Sequence, residues 1–189
     1  LSRRKMSDFT IKKVCGDNPY RAAVRRIYMQ SFPLFERVSL EPFFTCSVNG
    51  AEMFVLLREN EAEAFFCTLK RGRFFYLFYI AVDEKKRGRG IGSDVIKAAI
   101  EMAAGKVIFL DCEGIYPGCT DRAKRVKRLC FYRKNGFREV GGLHEWRGEK
   151  FVTLVHGDAE ISEEDIQDFW RVFGKLWDSE DVVGDLDKV

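Results

Sequence analysis

The chain has 189 residues, a length that suits one domain of ordinary size. Apolar residues make up 46% and charged residues 32%, so the composition supports a packed core and excludes an extensively disordered chain. The net charge of +3 is too small to indicate a nucleic-acid-binding protein by itself.

The cysteines and the apolar runs indicate the compartment. The six cysteines form no CxxC pair and are too sparse for a secreted disulfide framework, so we expect them to be reduced. We expect no metal site, because His144 and His156 lack ligand spacing to a cysteine. The longest apolar run, residues 74–82, is far shorter than the roughly 20 residues of a spanning helix. The first ten residues show no signal-peptide core. We therefore expect a cytoplasmic protein without membrane contact.

The N-terminal half predicts a helix and then an antiparallel meander. Asn18 and Pro19 suit the start of a helix. One face of this helix contains Val24, Ile27, Tyr28 and Ser31. Pro33 and Pro42 interrupt the next segment, which predicts a loop and a short second helix. Three strand-like runs on short connections follow, at 52–59, 62–69 and 74–82. The third is apolar on both faces, which predicts a central strand.

The second half begins with a βαβ pattern. A helix after the glycine-rich loop ends near Gly105, and a short strand follows at 107–112, so the strands on either side of the helix should be parallel. The next helix, capped by Thr120 or Asp121 and ended by Asn135-Gly136, is predicted to bury an apolar stripe. That stripe consists of Ala123, Val126, Leu129 and Cys130.

Two further strands, at 137–142 and 149–157, precede a terminal amphipathic helix. Ser162 and Asp165 have the spacing of a capping box at its start. Its wide apolar stripe contains Ile166, Phe169, Trp170, Phe173, Leu176 and Trp177. An acidic tail follows at 178–189. This helix and the exposed strand edges are compatible with a homodimer.

The segment between the central strand and the next helix combines glycines and basic residues. Gly88, Gly90 and Gly92 let the backbone approach a ligand closely, and the helix start offers free N–H groups and a positive dipole end. This pattern favours a phosphate site over a flexible basic loop. A dinucleotide site would need G-x-G-x-x-G, although Asp111 has the required spacing, and a P-loop would need Gly-Lys-Ser/Thr, so both of those interpretations fail in detail.

These residues resemble the GNAT superfamily of acyl-CoA N-acyltransferases. Its R/Q-x-x-G-x-G/A signature is matched by Arg87, Gly90 and Gly92, and its "FYxKxGF" segment is similar to residues 131–137. The resemblance covers about residues 20–155. It implies an α/β (α+β) fold with a mixed, mostly antiparallel central sheet, splayed parallel strands and flanking helices. We expect a GNAT domain at 1–157, with the C-terminal helix and acidic tail of 158–189 packed on it.

The resemblance implies that acetyl-CoA is the acyl donor, with its pyrophosphate on the loop. The residues that would hold the pyrophosphate are Arg87, Gly88, Arg89, Gly90, Ile91, Gly92 and Ser93. Lys85 and Lys86 add positive charge for further phosphates. The pantetheine arm would pair with the backbone of Ile80, Ala81 and Val82, and an N–H near Ile80 would polarise the thioester carbonyl.

The resemblance also implies direct attack by an amine, with Tyr132 protonating the leaving thiolate. Residues 74–82 lack the glutamate base that many members carry, which leaves Glu113 or a water chain. By analogy, Glu36 and Arg37 contact the acceptor. Arg125 and Arg128 replace residues that line the CoA arm, and they either reach a phosphate or an acidic acceptor or form a solvated helix face.

Three functions follow from these observations. The leading one is an N-acetyltransferase for a small-molecule or peptide amine. The second is a non-catalytic acyl-CoA-binding regulator, which the missing strand glutamate supports and Tyr132 opposes. The third is a nucleic-acid-binding module, which the low net charge disfavours, so we expect no nucleic-acid partner.

Overall fold

The computed structural model describes residues 9–176, which form one seven-stranded sheet in the order β1-β2-β3-β4-β5-β7-β6. The strands are β1 (Thr10–Lys13), β2 (Ala51–Arg58), β3 (Glu61–Arg71), β4 (Phe74–Val82), β5 (Val107–Glu113), β6 (Phe137–Trp146) and β7 (Glu149–His156). The helices are α1 (Arg21–Ser31), α2 (Glu41–Phe44), α3 (Ile91–Ala103), α4 (Arg122–Lys134) and α5 (Glu163–Phe173). Short 3-10 turns lie at Leu34–Glu36, Glu84–Lys86 and Gly174–Leu176.

The first four strands form the predicted antiparallel meander. Glu59 and Asn60 in the β2–β3 turn have φ of 51° and 64°, and two positive φ values match the twist of a tight hairpin. The β4–β5 pair is parallel, and every other strand pair among the described residues is antiparallel. The expectation of a mixed, mostly antiparallel sheet with flanking helices is therefore confirmed.

The sheet separates two apolar layers. On one face the core includes Val24 of α1, Phe43 of α2 and Phe169 of α5. On the other face it includes Val95 of α3 and Leu129 of α4. The strand β4 contributes buried side chains to both layers, as its continuous apolar sequence predicts.

Two boundaries differ from the prediction. The helix α1 begins at Arg21, because the Asn18 side chain accepts a hydrogen bond from the Tyr20 amide (3.0 Å) and forms a turn ahead of the helix. The strand β1 was not predicted. It is short and mostly exposed, and only its pairing with β2 makes it a strand.

The predicted apolar stripe of α4 is wrong. Leu129 is buried, but Ala123, Val126 and Cys130 are exposed. The buried partner of Leu129 on this helix is Arg125, one helical turn away and only 2% exposed. The face of α4 that meets the sheet therefore combines the Arg125 ion pair with the apolar contacts of Leu129.

The expectation that all six cysteines are reduced is wrong for two of them. Cys15 and Cys46 form a disulfide, with Cα atoms 5.9 Å apart. The pairing follows from tertiary contacts, since the amide of Gly16 donates to the carbonyl of Phe44 (2.8 Å). Cys67, Cys112, Cys119 and Cys130 are free thiols.

The C-terminal helix α5 begins with the predicted capping box. The Ser162 hydroxyl accepts from the Asp165 amide (3.1 Å), and the Asp165 carboxylate accepts from the Ser162 amide (3.0 Å). Phe169 and Phe173 are buried against the sheet. Trp177 and the acidic tail lie outside the described residues. Within residues 9–176, no helix has the length and apolar character needed to traverse a bilayer.

Candidate active site

The two parallel strands separate in the middle of the sheet. The pairing of β4 with β5 covers Phe74–Val107 to Tyr76–Phe109 and then ends, although β4 continues to Val82 and β5 to Glu113. On their outer edges both strands remain paired to these ends, β4 with β3 and β5 with β7. A wedge-shaped gap, bordered by residues 77–82 and 110–113, therefore opens inside the sheet.

The direction of the β4 backbone groups follows from one hydrogen bond. The Asp83 amide donates to the Glu63 carbonyl of β3 (2.9 Å), and successive residues of a strand direct their backbone groups to opposite edges. Ile80 and Val82 therefore direct N–H and C=O toward the gap. Ala81 lies opposite Phe65 and directs its groups to β3, so this member of the predicted trio contributes no backbone hydrogen bond at the gap.

A β-bulge reshapes this edge. The register between β3 and β4 shifts at Cys67 and Thr68, which pair with Tyr79 and Leu77 and leave Phe78 as the extra residue. Bulges bend a strand and increase its local twist, and they are frequent next to active sites. The bulge lies where β4 leaves β5.

The glycine-rich loop lies between the end of β4 and α3. Gly88 and Gly90 have φ of 77° and 83°, which an L-residue rarely adopts. Gly90 precedes the first turn of α3, and its carbonyl accepts from the amides of Ser93 (3.0 Å) and Asp94 (3.2 Å). The amides of Ile91 and Gly92 have no acceptor within the helix and point out of its N-terminal end. An anion is stabilised at such a helix start.

The start of α3 is packed tightly against α4. A Cβ atom on Gly92 would lie 3.2 Å from the Phe131 ring, so only glycine brings the two helices this close without displacing that ring. Phe131 belongs to the segment that also contains Tyr132. The loop amides and Tyr132 are therefore held near each other on the α3–α4 face of the sheet.

The side chains of Arg87 and Lys86 in this loop have intramolecular partners. Arg87 donates from Nε to the Val82 carbonyl (3.2 Å) and from its guanidinium to the Ser31 hydroxyl (3.1 Å). Lys86 pairs with Glu61 (2.7 Å). The sequence predicted phosphate contacts for these side chains, whereas the structure uses both to position the loop on neighbouring elements.

Tyr132 lies on α4 with its ring against Phe131 and Phe137, at centroid distances of 5.2 and 5.8 Å. Within residues 9–176 its hydroxyl makes no hydrogen bond. Burial raises the pKa of Tyr132, and the nearby Cys112 thiol on the gap edge of β5 raises it further. The phenol therefore stays protonated at neutral pH.

Glu113, the residue predicted as the base, ends β5 and is 9% exposed. Its carboxylate forms an ion pair with Arg128 of α4. Arg128 is therefore engaged with a protein carboxylate.

Arg125 is not part of a solvated basic face. It donates to both carboxylate oxygens of Glu149 (2.7 and 3.2 Å) and to the carbonyls of Gly114 (3.0 Å) and Thr120 (2.9 Å). Tyr116 donates to the same carboxylate (2.7 Å). Arg125 therefore has a structural role and joins α4 to β7.

Glu36 occupies the 3-10 turn after α1. The Tyr79 hydroxyl of β4 donates to its main-chain carbonyl, which attaches the turn to the bulged strand. Its Oε1 is buried and has no hydrogen-bond partner among the described residues. Burial raises the pKa of Glu36, an effect that Arg128 partly opposes. Arg37, in contrast, donates to the carbonyls of Phe32 and Met29 (both 2.8 Å) at the end of α1.

Sequence reasoning missed a histidine–carboxylate pair. His144 Nε2 lies 3.6 Å from Asp111 Oδ1, and this carboxylate raises the pKa of His144. Asp111 also accepts from the hydroxyls of Tyr76 (3.0 Å) and Thr153 (2.7 Å). The signal in the sequence was an aspartate inside an otherwise apolar strand, which requires buried polar partners.

A glycine loop at a helix start, beside a gap between splayed parallel strands, defines a fold class of acyltransferases. Residues 49–139 match the acetyltransferase (GNAT) domain. The matched segment runs from the start of β2 to the first residues of β6 and includes the glycine loop and Tyr132. A comparison with curated proteins finds no match.

Solved structures with the same fold cover most of the chain. A protein of Bacteroides thetaiotaomicron, described as a GNAT-family acetyltransferase, is 16% identical with a TM-score of 0.72, over 90% of this chain and 99% of its own. The ribosomal-protein-S18-alanine N-acetyltransferase of Escherichia coli is 19% identical with a TM-score of 0.59, over 82% and 97%. A GNAT-family acetyltransferase of Elizabethkingia anophelis, solved with acetyl-CoA bound, is 16% identical with a TM-score of 0.54, over 80% and 99%.

Proposed function

We propose that this protein is an acetyl-CoA-dependent N-acetyltransferase that acetylates a primary amine on a small molecule or peptide. The observation that carries the proposal is the gap between β4 and β5, which opens beside the glycine loop and next to Tyr132. Two relatives in fold support it, since one was solved with acetyl-CoA and the other is named as an alanine N-acetyltransferase.

The loop and β4 would hold the acyl donor. The amides of Ile91 and Gly92 and the Ser93 hydroxyl suit a pyrophosphate. The backbone groups of Ile80 and Val82 that face the gap suit an extended amide-bearing arm, which would pair with β4 as an added strand. An N–H at Ile80 would then stabilise negative charge on the thioester oxygen.

The chemistry would be direct transfer. The amine nitrogen attacks the thioester carbon, the N–C bond forms and the C–S bond breaks, with the electron pair passing to sulfur. Tyr132 gives its phenolic proton to the thiolate. Because burial raises the pKa of Tyr132, this proton is present at neutral pH.

Thermal unfolding with and without acetyl-CoA tests the binding step. A ligand at 100 times its Kd stabilises the folded state by about 2.7 kcal/mol, which for a chain of this size raises Tm by about 5–10 °C. Gly90→Val should abolish the shift, because its side chain would enter the anion site. Gly72→Val is the matched control, since Gly72 also has a positive φ (53°) but lies in the β3–β4 turn, at the other end of β4.

Release of CoA thiol from a panel of amines tests transfer. Turnover with one amine supports the enzyme. A thermal shift without turnover on any amine would favour the non-catalytic acyl-CoA-binding regulator, for which the absence of an acidic residue on β4 is the supporting observation. No shift with excess acetyl-CoA would remove both functions.

A further inference from the structure

We propose that Glu36 is the catalytic base that takes the proton from the acceptor amine. The proposal rests on the proposed function and adds a residue to it. The geometric observation is a carboxylate on the turn that the Tyr79 hydroxyl attaches to the bulged strand β4, and its Oε1 is buried without a hydrogen-bond partner in the described chain. A buried acceptor without a donor is costly, and a substrate ammonium or amine N–H would satisfy it.

The turn that carries Glu36 is held in place from two sides. On one side the Tyr79 hydroxyl donates to the Glu36 carbonyl, and Tyr79 in turn accepts from Tyr28 of α1 (3.2 Å). On the other side Arg147, in the β6–β7 turn, donates to the Arg37 carbonyl (2.8 Å). Glu36 is therefore positioned by elements from both sides of the gap, as a catalytic group requires.

The surroundings of Glu36 place it opposite Tyr132. The negative charge of Glu36 contributes to the raised pKa of Tyr132 on α4 and of Cys112 on β5. The charges of Arg125, Arg128 and Glu149 shift the pKa of Glu36. The charge of Glu36 in turn raises the pKa of Tyr79, Cys112 and Tyr132. One candidate acid and one candidate base thus lie on different elements beside the same gap.

The environments of Glu36 and Glu113 suit them to different roles. Burial raises the pKa of Glu36, which makes its carboxylate a stronger base than an exposed one. Glu113 is already ion-paired with Arg128. The positive charge of Arg128 opposes the rise in the pKa of Glu36.

The protons balance in this arrangement. The acceptor ammonium gives one proton to Glu36 and becomes a nucleophilic amine. After the N–C bond forms and the C–S bond breaks, Tyr132 protonates sulfur and regains a proton from the acylated nitrogen. Glu36 then releases its proton to solvent. The net change converts an ammonium and a thioester into an amide, a thiol and one proton.

The test compares two nucleophiles in Glu36→Gln. With the best alkylamine of the panel, which is protonated at pH 7, we expect kcat/KM to fall by about 10²-fold or more and to recover as rising pH deprotonates the amine. With hydroxylamine, which is uncharged at neutral pH and needs no base to become nucleophilic, the rate should change little. Glu101→Gln, at an exposed glutamate of α3, is the matched control and should keep the wild-type pH profile.

Acetyl-CoA thermal shifts separate the possible failures. An unchanged shift in Glu36→Gln shows that the variant folds and binds the donor, and Glu36→Asp provides a second, charge-conserving variant that should retain part of the activity. Equal losses with hydroxylamine and the alkylamine, or an unchanged pH profile, would overturn the role of Glu36. Absence of a shift or of any turnover in the wild type would instead count against the proposed function itself.

Discussion

At the scale of single residues, the site depends on polar groups that the structure leaves without protein partners. The Tyr132 hydroxyl and Glu36 Oε1 have no hydrogen bond in the described chain, whereas Arg125 and Arg37 are engaged with protein groups. A group already satisfied by the protein gains little from a substrate, while an unsatisfied one gains a hydrogen bond. This difference separates the candidate catalytic groups from the structural ones.

Tyr132→Phe should slow transfer without affecting stability or donor binding. The missing hydroxyl makes no hydrogen bond among residues 9–176, so the ring packing against Phe131 and Phe137 is retained. General acid catalysis contributes about 10²–10⁴-fold, so kcat should fall at least tenfold. Steady-state kinetics measure the loss, and acetyl-CoA thermal shifts check binding. Tyr20→Phe is a control remote from the gap, and an unchanged kcat for Tyr132→Phe would assign the acid to another group.

At the scale of secondary-structure elements, the separation of β4 and β5 requires support from both faces of the sheet. On the loop side, α3 and α4 meet through Gly92 and Phe131. On the other side, α5 covers the point where the strands are still paired, since Phe169 packs on Phe109 and Tyr76 at centroid distances of 5.0 and 5.7 Å. The helix α5 therefore packs against the paired part of β4 and β5, next to the gap.

Phe169→Ala should strongly destabilise the fold. The side chain is 1% exposed, and truncating a buried phenylalanine costs about 3–5 kcal/mol. Val172→Ala on the same helix is the matched control, because Val172 is 44% exposed and its truncation should change stability by no more than about 0.5 kcal/mol. Urea unfolding followed by tryptophan fluorescence provides both values. Similar values for the two variants would show that α5 is not part of the core.

At the scale of the whole molecule, an ion pair joins distant parts of the chain beside the site. Arg125 and Glu149 connect α4 to β7, and hydrogen bonds to the Arg125 guanidinium lower the pKa of Glu149 to about 2. Because the folded-state pKa lies below the unfolded value, this pair stabilises the protein above about pH 4.5, and the stabilisation is lost as the pH falls toward about 2.

Acid unfolding should therefore distinguish wild type from Glu149→Gln. At pH 6 we expect the wild type to have the larger free energy of unfolding, by up to about 3 kcal/mol, which corresponds to the whole shift in the pKa of Glu149. The difference should shrink as pH falls from 5 to 2.5. Urea unfolding at each pH measures it, with exposed Glu101→Gln as the control. A difference independent of pH would mean that Glu149 acts through packing and not through its charge.

The sequence by itself determined most of the local structure and the class of the site. Apolar runs and helical periodicity located six of the seven described strands and the five described helices, because a strand covered on both faces is continuously apolar and a helix packed on one face repeats with its turn. The glycine loop and residues 131–137 indicated the family, because close backbone approach to a ligand and to a second helix restricts which residues fit.

Only the tertiary structure decided which polar residues meet. The turn of Glu36 is attached to Tyr79 of β4, His144 pairs with Asp111 across the sheet, Arg125 is buried by Glu149, and Cys15 joins Cys46. Local periodicity reports whether a side chain faces the core, but it carries no information on which distant residue faces it there. Free energies of charge burial and hydrogen bonding depend on that partner, so the roles of these residues followed from the fold.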